Sequence, residues 1–195
     1  EGARLLVSLD CGITAANEVR AASALGLDTV VVDHHTVPVE LPAAAAILNP
    51  HQPGCGYPSK DLAAVGVAFN LALALRKALR ERGRFGAERP EPNLKDALDL
   101  VALGTVADVV PLVGANRILV RWGLEALARS RRPGIRALKR VAGIAEGSAI
   151  SAGQVGFRLA PRINAAGRLD DAGRGVPLLL EDDPERADAL AVWRV

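Results

Sequence analysis

The stretch RLLVSLDCGITAANEVRAASALGLDTVVVDHH, Arg4 to His35, decides the fold. Arg4 to Leu9 is a short apolar run ending in Asp10, Cys11 and Gly12. Thr14 to Leu25 is alanine-rich with helical composition, and Thr29 to Val32 is a second, β-branched run. A strand, a helix of about three turns and a strand make a βαβ unit, and the right-handed crossover rule makes its strands parallel. Asp10 and Asp33 then both stand at strand C-terminal ends, the edge of an open α/β sheet where ligands bind.

Outward from this unit, Thr36 to Pro58 is broken by Pro38, Pro42, Pro50, Pro53 and Pro58 and reads as loop, with a short strand from Ala45 to Leu48. Lys60 to Arg82 has a helical pattern, apolar through Leu75 and then basic, so a buried helix with a charged exit is expected. Gly83 to Asn93 is loop. Further helices are expected over Leu94 to Thr105, Asn116 to Ala128, Gly134 to Val141, Ser151 to Leu159, and from Asp183 to the end. There Asp182 or Asp183 serves as N-cap and Pro184 sits in the first turn. The fold class is therefore α/β: a parallel sheet with flanking helices, followed by a helical subregion.

Composition bounds the function. The chain has 195 residues, half of them hydrophobic, with Lys+Arg 24 against Asp+Glu 22. That is one domain or one and a half, and it is not disordered. A net charge of +2 requires any nucleic acid to be held by a local patch rather than by bulk charge. The longest uncharged apolar stretch, Leu62 to Leu75, is too short to cross a bilayer, and nothing at the N-terminus reads as a signal peptide. Two cysteines, Cys11 and Cys55, form no disulfide framework, so a cytoplasmic protein is expected. The chain has no Met and begins at Glu1, so a natural start upstream is expected.

Chemistry concentrates around Asp33, His34 and His35. Imidazole and carboxylate together suit a borderline divalent ion such as Mn²⁺, and Asp10 and Asp108 could complete the set. Alternatively, the histidines cap the following loop and the aspartates are ordinary strand-end or cap residues; spacing alone leaves both readings open. Asp108 interrupts an apolar run, and burying an unpaired carboxylate there would be costly, which favours a metal.

These residues also carry a resemblance. Asp33-His34-His35 reads as a DHH signature, preceded by Asp10-Cys11-Gly12 and followed by GTVADVVPL (104–112) and PRINAAGRL (161–169). The four motifs, in this order, resemble the RecJ single-strand exonucleases of the DHH phosphoesterase superfamily. The resemblance implies a two-metal phosphodiesterase using Mn²⁺ or Mg²⁺ that degrades single-stranded DNA from the 5′ end to mononucleotides in repair and recombination. It implies that Asp10 bridges the ions, that His34 and Asp108 are ligands of one of them, and that His35 stands close to the scissile phosphate. Asp33 would orient the histidines, and Arg162, Asn164 and Arg168 would bind substrate. Residues 1–112 would be the α/β part of the DHH domain, 113–181 its helical part, and 182–195 the start of a linker helix. Single-strand-binding protein and a helicase are implied partners, and no membrane is.

The family's aspartate-rich first motif and its C-terminal substrate-gripping domain lie outside these 195 residues, so impaired catalysis by the fragment alone is expected. Two other readings stand beside this one. The first is a DHH phosphoesterase acting on short oligonucleotides, cyclic dinucleotides or pyrophosphate. The second is a non-catalytic replication scaffold, which the retained Asp10, Asp33, His34, His35 and Asp108 disfavour.

Arg129, Arg131, Arg132, Arg136, Lys139 and Arg140 form a basic cluster that reads as a solvated face and helix termini in preference to a DNA contact. For Arg162 and Arg168 the competing reading is pairing with Asp170 or Asp171, with Asn164 as a helix cap. Among the aromatics, Phe69, Trp122 and Phe157 are expected in the core and Tyr57 is the stacking candidate. Cys11 is expected to be a small packed residue and His51 a surface one.

Overall fold

A computed structural model of the chain describes residues 2–169 and 175–192. The chain divides into two compact units, Glu1–Leu94 with Val113–Asn116, and Lys95–Leu112 with Arg117–Val195.

The first unit is built on three strands, β1 (Leu5–Leu9), β2 (Asp28–Val32) and β3 (Ala46–Leu48), all parallel in the order β1-β2-β3. The βαβ unit forms as the sequence predicts, with α1 (Ala16–Ala24) as the crossover and Val19 and Ala22 as its buried face. β2 is central, and Val31 and Val32 are fully buried, which is why its sequence is an unbroken β-branched run. Leu9 pairs with Val32 and Val32 with Leu48, so the residues after the three strands, Asp10, Asp33 and Asn49, stand in one row.

α2 (Ala64–Glu81) begins later than the expected Lys60. Lys60 lies outside the helix, where its Nζ donates to the carbonyls of Pro50 (2.8 Å) and Cys55 (2.6 Å) and fastens the proline-rich loop. The expectation of a buried helix holds only for the first turn, at Ala64, Gly66 and Val67, and Leu75 is exposed. A cavity of about 280 Å³ lined by Ile47, Leu48, Tyr57, Val67 and Leu71 lies along the next turns and leaves them half-covered. Tyr57, the stacking candidate of the sequence, is half-buried and lines this cavity, its hydroxyl accepting from Asn70 Nδ2 (3.4 Å).

The second unit is helical, with α3 (Leu98–Ala107), the body of α4 (Gly114–Ala128), α5 (Pro133–Val141), a short α6 (Ala152–Gln154), α7 (Ala160–Leu169), α8 (Gly175–Leu180) and α9 (Pro184–Ala191). Leu103, Leu127, Ile135, Leu138, Val155, Leu159 and Leu178 form its core. Asp183 caps α9 as expected, its side chain accepting from Arg186 N at 2.9 Å. The segment expected to end at Leu159 instead continues: α6, capped reciprocally by Ser151 and Gln154, passes through a π-helical turn, Val155–Leu159, into α7. Pro161, which has no N–H to give, follows directly on this π-helical turn, where the i→i−4 ladder is already interrupted. α8 had no forecast in the sequence.

The basic cluster is largely consumed inside this unit. Lys139 is buried and donates to the carbonyls of Leu127 (3.3 Å) and Ala128 (2.8 Å) at the end of α4, a cation where the helix dipole favours one. Burial pushes its ammonium below the usual lysine range. Arg132 pairs with the buried Asp99 (3.2 Å), which also accepts from Ser130 Oγ (2.6 Å). Arg136 pairs with Glu146 and Arg140 with Asp188.

Candidate metal centre

Asp10 leaves β1 in the left-handed region, φ 63°, a conformation that Asp tolerates better than most residues. Its backbone N–H still donates to Val32 O at 2.9 Å, extending the ladder past the strand. Gly12, at φ 108°, turns the chain toward α1, and a Cβ there would come within 2.6 Å of Ser8 Oγ, so only glycine fits.

Asp33 is buried at the end of the central strand and acts as an anionic hub. Its Oδ2 accepts from Ile13 N (3.0 Å), and its Oδ1 accepts from His34 N (2.8 Å), His35 N (3.2 Å) and the His35 ring at Nδ1 (2.7 Å). Burial alone would raise its pKa. The hydrogen bonds from the Ile13 backbone, the His35 ring and the backbones of His35 and His34 outweigh it and hold the carboxyl below the usual carboxylate range. With a carboxylate facing it, Nδ1 is the ring nitrogen of His35 that donates.

His34 Nε2 lies 3.3 Å from Asp10 Oδ1, and the two imidazole centroids are 4.6 Å apart at 60°. Donor atoms of Asp10, His34 and His35 all fall within 4.8 Å of one another. One carboxylate and two imidazoles with no thiolate are a donor set for a borderline divalent ion, Mn²⁺ among them. Cys11 beside them is exposed rather than packed.

Asn49 is the residue that sequence reasoning missed. It is buried, its Nδ2 donates to His35 O (2.9 Å), and its Oδ1 accepts from His51 N (2.8 Å). The available signal was its place directly after the short strand expected over Ala45 to Leu48. Asn49→Ala is expected to lose about 2 kcal/mol of stability in chemical denaturation, because two hydrogen bonds made by a buried side chain are lost. A loss within about 0.5 kcal/mol would mean that these bonds do not hold the loop.

Asp108 caps the end of α3 in the second unit. It is exposed, so the desolvation penalty inferred from its apolar neighbours in sequence does not arise. In the same unit Asn164 is exposed within α7, not at a cap, and Arg162 donates to Arg158 O at 3.1 Å. The Arg168 side chain and its suggested partners Asp170 and Asp171 lie outside the described residues.

Comparison with known proteins agrees with this geometry. The chain is 52% identical over 194 residues to the single-stranded-DNA-specific exonuclease RecJ of Dickeya dadantii, covering 98% of this chain and 33% of that protein. It is 50% identical over 192 residues to the protein of that name from Escherichia coli, covering 97% and 33%. The chain thus spans about a third of the length of these relatives. A crystal structure of exonuclease RecJ bound to manganese superimposes with TM-score 0.80 at 38% identity, over 96% of this chain and 44% of that one. RecJ in complex with Mn²⁺ from Thermus thermophilus does so with TM-score 0.79 at 38% identity, over 96% and 26%. The model of the DHH family, N-terminal domain, matches residues 3–105, carrying the first unit with Asp10, Asp33, His34 and His35. The chain belongs to the DHH family.

Proposed function

We propose that this chain is the DHH portion of a metal-dependent 5′-to-3′ exonuclease that hydrolyses single-stranded DNA to mononucleotides in repair and recombination. The observation that carries the reading is the convergence of Asp10, His34 and His35 at the strand ends, with both histidines held from behind by a buried, ionised Asp33. Asp10, His34 and Asp108 are the proposed metal ligands, for Mn²⁺ or Mg²⁺ and for two ions in the complete protein. Divalent ions supply charge neutralisation for the phosphodiester and a more acidic water.

The chain's own residues do the rest. Asp33 fixes the His35 ring by its Nδ1 and fixes the backbone of both histidines, so the His35 imidazole is oriented before substrate arrives. His35, more exposed than His34, stands where it could meet a phosphate oxygen. Arg162, Asn164 and Arg168 are proposed to bind the strand, and residues 182–195 to begin a connecting helix. Among the described residues no helix is long and apolar enough to cross a membrane. We place the protein in the cytoplasm, with single-strand-binding protein and a helicase as partners.

The test uses a protein of the relatives' length carrying these residues. Mn²⁺-dependent release of mononucleotides from a 5′-labelled single strand, abolished by chelator, is the expected result. A preference for dinucleotides would move the reading to an oligonucleotide phosphoesterase. Failure to bind Mn²⁺ at all would leave a non-catalytic scaffold.

A further inference from the structure

In the helical unit, the loop from α4 to α5 and the start of α3 form a recess of about 470 Å³, lined by four cations, Lys95, Arg129, Arg131 and Arg132, against two carboxylates, Asp96 and Asp99. Asp99 and Asp108 stand at opposite ends of α3, about 13 Å apart along its axis, so the recess is separate from that candidate metal ligand. The buried Asp99 is already committed: it accepts from Leu100 N (2.7 Å), Ser130 Oγ (2.6 Å) and Arg132 Nε (3.2 Å). Arg132 is fixed in turn, because its Nη2 donates to Asp96 O at 3.1 Å, while its Nη1 makes no hydrogen bond among the described residues. Arg129 and Arg131 are exposed and form no ion pair among the described residues. Glu125, one turn before Arg129, is engaged by Arg121 at 2.5 Å instead.

The helix ends around the recess add to the same sign. The last carbonyls of α4, which would oppose an anion, are covered by Lys139 at Leu127 O and Ala128 O. α5 starts directly after Arg132 with no side-chain cap, so the positive end of its dipole lies at this loop. Cations gathered in a concavity repel one another and focus their field there, a cost that packing does not explain and that an anion removes. The lining also selects the anion. Among the described residues that form it, only Ala126 has an apolar side chain, so it holds no anchor for the hydrophobic residues of a peptide. Guanidinium forks match the oxygens of phosphate, and the volume admits more than one such group.

We propose that this recess is a phosphate-binding site for closely spaced phosphate groups, with Arg129, Arg131 and the Nη1 of Arg132 as its donors and Lys95 adding charge. Asp99 is a positioning residue there, holding the Arg132 guanidinium before the anion arrives. Two sources carry this chemistry: the polyphosphate of a free nucleotide and the backbone of a nucleic acid. Neither requires a metal ion at Asp10, His34 and His35, so the site can be read with the metal centre stripped.

The test titrates the 195-residue chain, in chelator, with inorganic tripolyphosphate and separately with oligo-dT, by calorimetry. Arg129→Ala with Arg131→Ala should weaken tripolyphosphate by at least about tenfold. Arg82→Ala with Arg84→Ala, which removes the same charge beyond the end of α2, should leave it unchanged. Because Arg129 and Arg131 are exposed, their double variant is expected to keep its thermal midpoint. If oligo-dT loses affinity in step with tripolyphosphate, the source is a nucleic-acid backbone; if oligo-dT is held as before while tripolyphosphate falls, it is a free polyphosphate. Either result supports the site and leaves the exonuclease reading to its own test. No binding of tripolyphosphate by the unaltered chain, no loss on removing Arg129 and Arg131, or equal losses in the two double variants would overturn it. If oligo-glutamate of equal charge bound as tightly and with the same dependence on these arginines, the recess would be a surface for an acidic protein segment and the proposal would fall.

Discussion

Asp10→Asn is expected to lower Mn²⁺ affinity by at least about a hundredfold and to extinguish hydrolysis in the longer protein. Partners that stand behind a ligand are worth about ten- to a hundredfold each, and Asp10 faces the ion site directly, 3.3 Å from His34 Nε2. The substitution is clean because Asn accepts the left-handed backbone at this position almost as readily as Asp. It therefore removes a charge and a donor oxygen without straining the end of β1. Mn²⁺ titration followed by electron paramagnetic resonance measures the affinity, and thermal denaturation in chelator checks that the fold is unchanged. Arg131→Ala, from the basic cluster, is the comparison and should leave metal affinity unaltered. Similar, modest losses from both substitutions would contradict the placement of Asp10 at the centre.

Gly134→Ala should be among the most damaging single changes in the molecule, at about 4 kcal/mol or more, or a failure to fold. Helix propensity alone predicts the opposite sign, since alanine in a helix interior is better than glycine by about 1 kcal/mol. The deciding fact is tertiary. A Cβ on Gly134 would lie 1.8 Å from Leu178 O and 2.7 Å from its carbonyl carbon, and both atoms are backbone with no rotamer to give. Leu178 is itself fully buried, so α8 has no room to retreat. Gly86→Ala, where a Cβ would meet nothing within 4 Å, is the control and should shift stability by less than about 0.5 kcal/mol. Urea denaturation of the three proteins measures the difference. A neutral Gly134→Ala would show that α5 and α8 do not pack this closely.

The first unit was legible because its determinants are local. Two apolar runs, an alanine-rich crossover and polar residues directly after each strand are all written within residues 4–35, and the structure adds register to them. Asn49 escaped because its strand is three residues long and sits between prolines, so only pairing with β2 reveals that it stands in the same row as Asp33. The helical unit was less legible. Pro161 reads as a breaker until the turn before it is known, and the exposure of Phe157 depends on that same turn. The apolar neighbours of Asp108 in sequence suggested burial, yet the end of α3 leaves its carboxylate outside the packed layer. The six basic residues of 129–140 look alike in one dimension. Only the fold sends Lys139 to the end of α4 and Arg132 to Asp99.

The alignment of Asp10, Asp33 and Asn49 across the three strands also bears on folding fidelity. β2 is buried on both faces, so a one-residue slide would leave its valines covered either way and would be felt instead at Asp33. The slipped arrangement would carry its carboxylate away from Ile13 N, the one of its four hydrogen bonds that reaches another segment, and would move it out of the row with Asp10 and Asn49. A chain that pairs its strands incorrectly is therefore penalised at this carboxylate, and the conformer that survives is the one with His34 and His35 already in place.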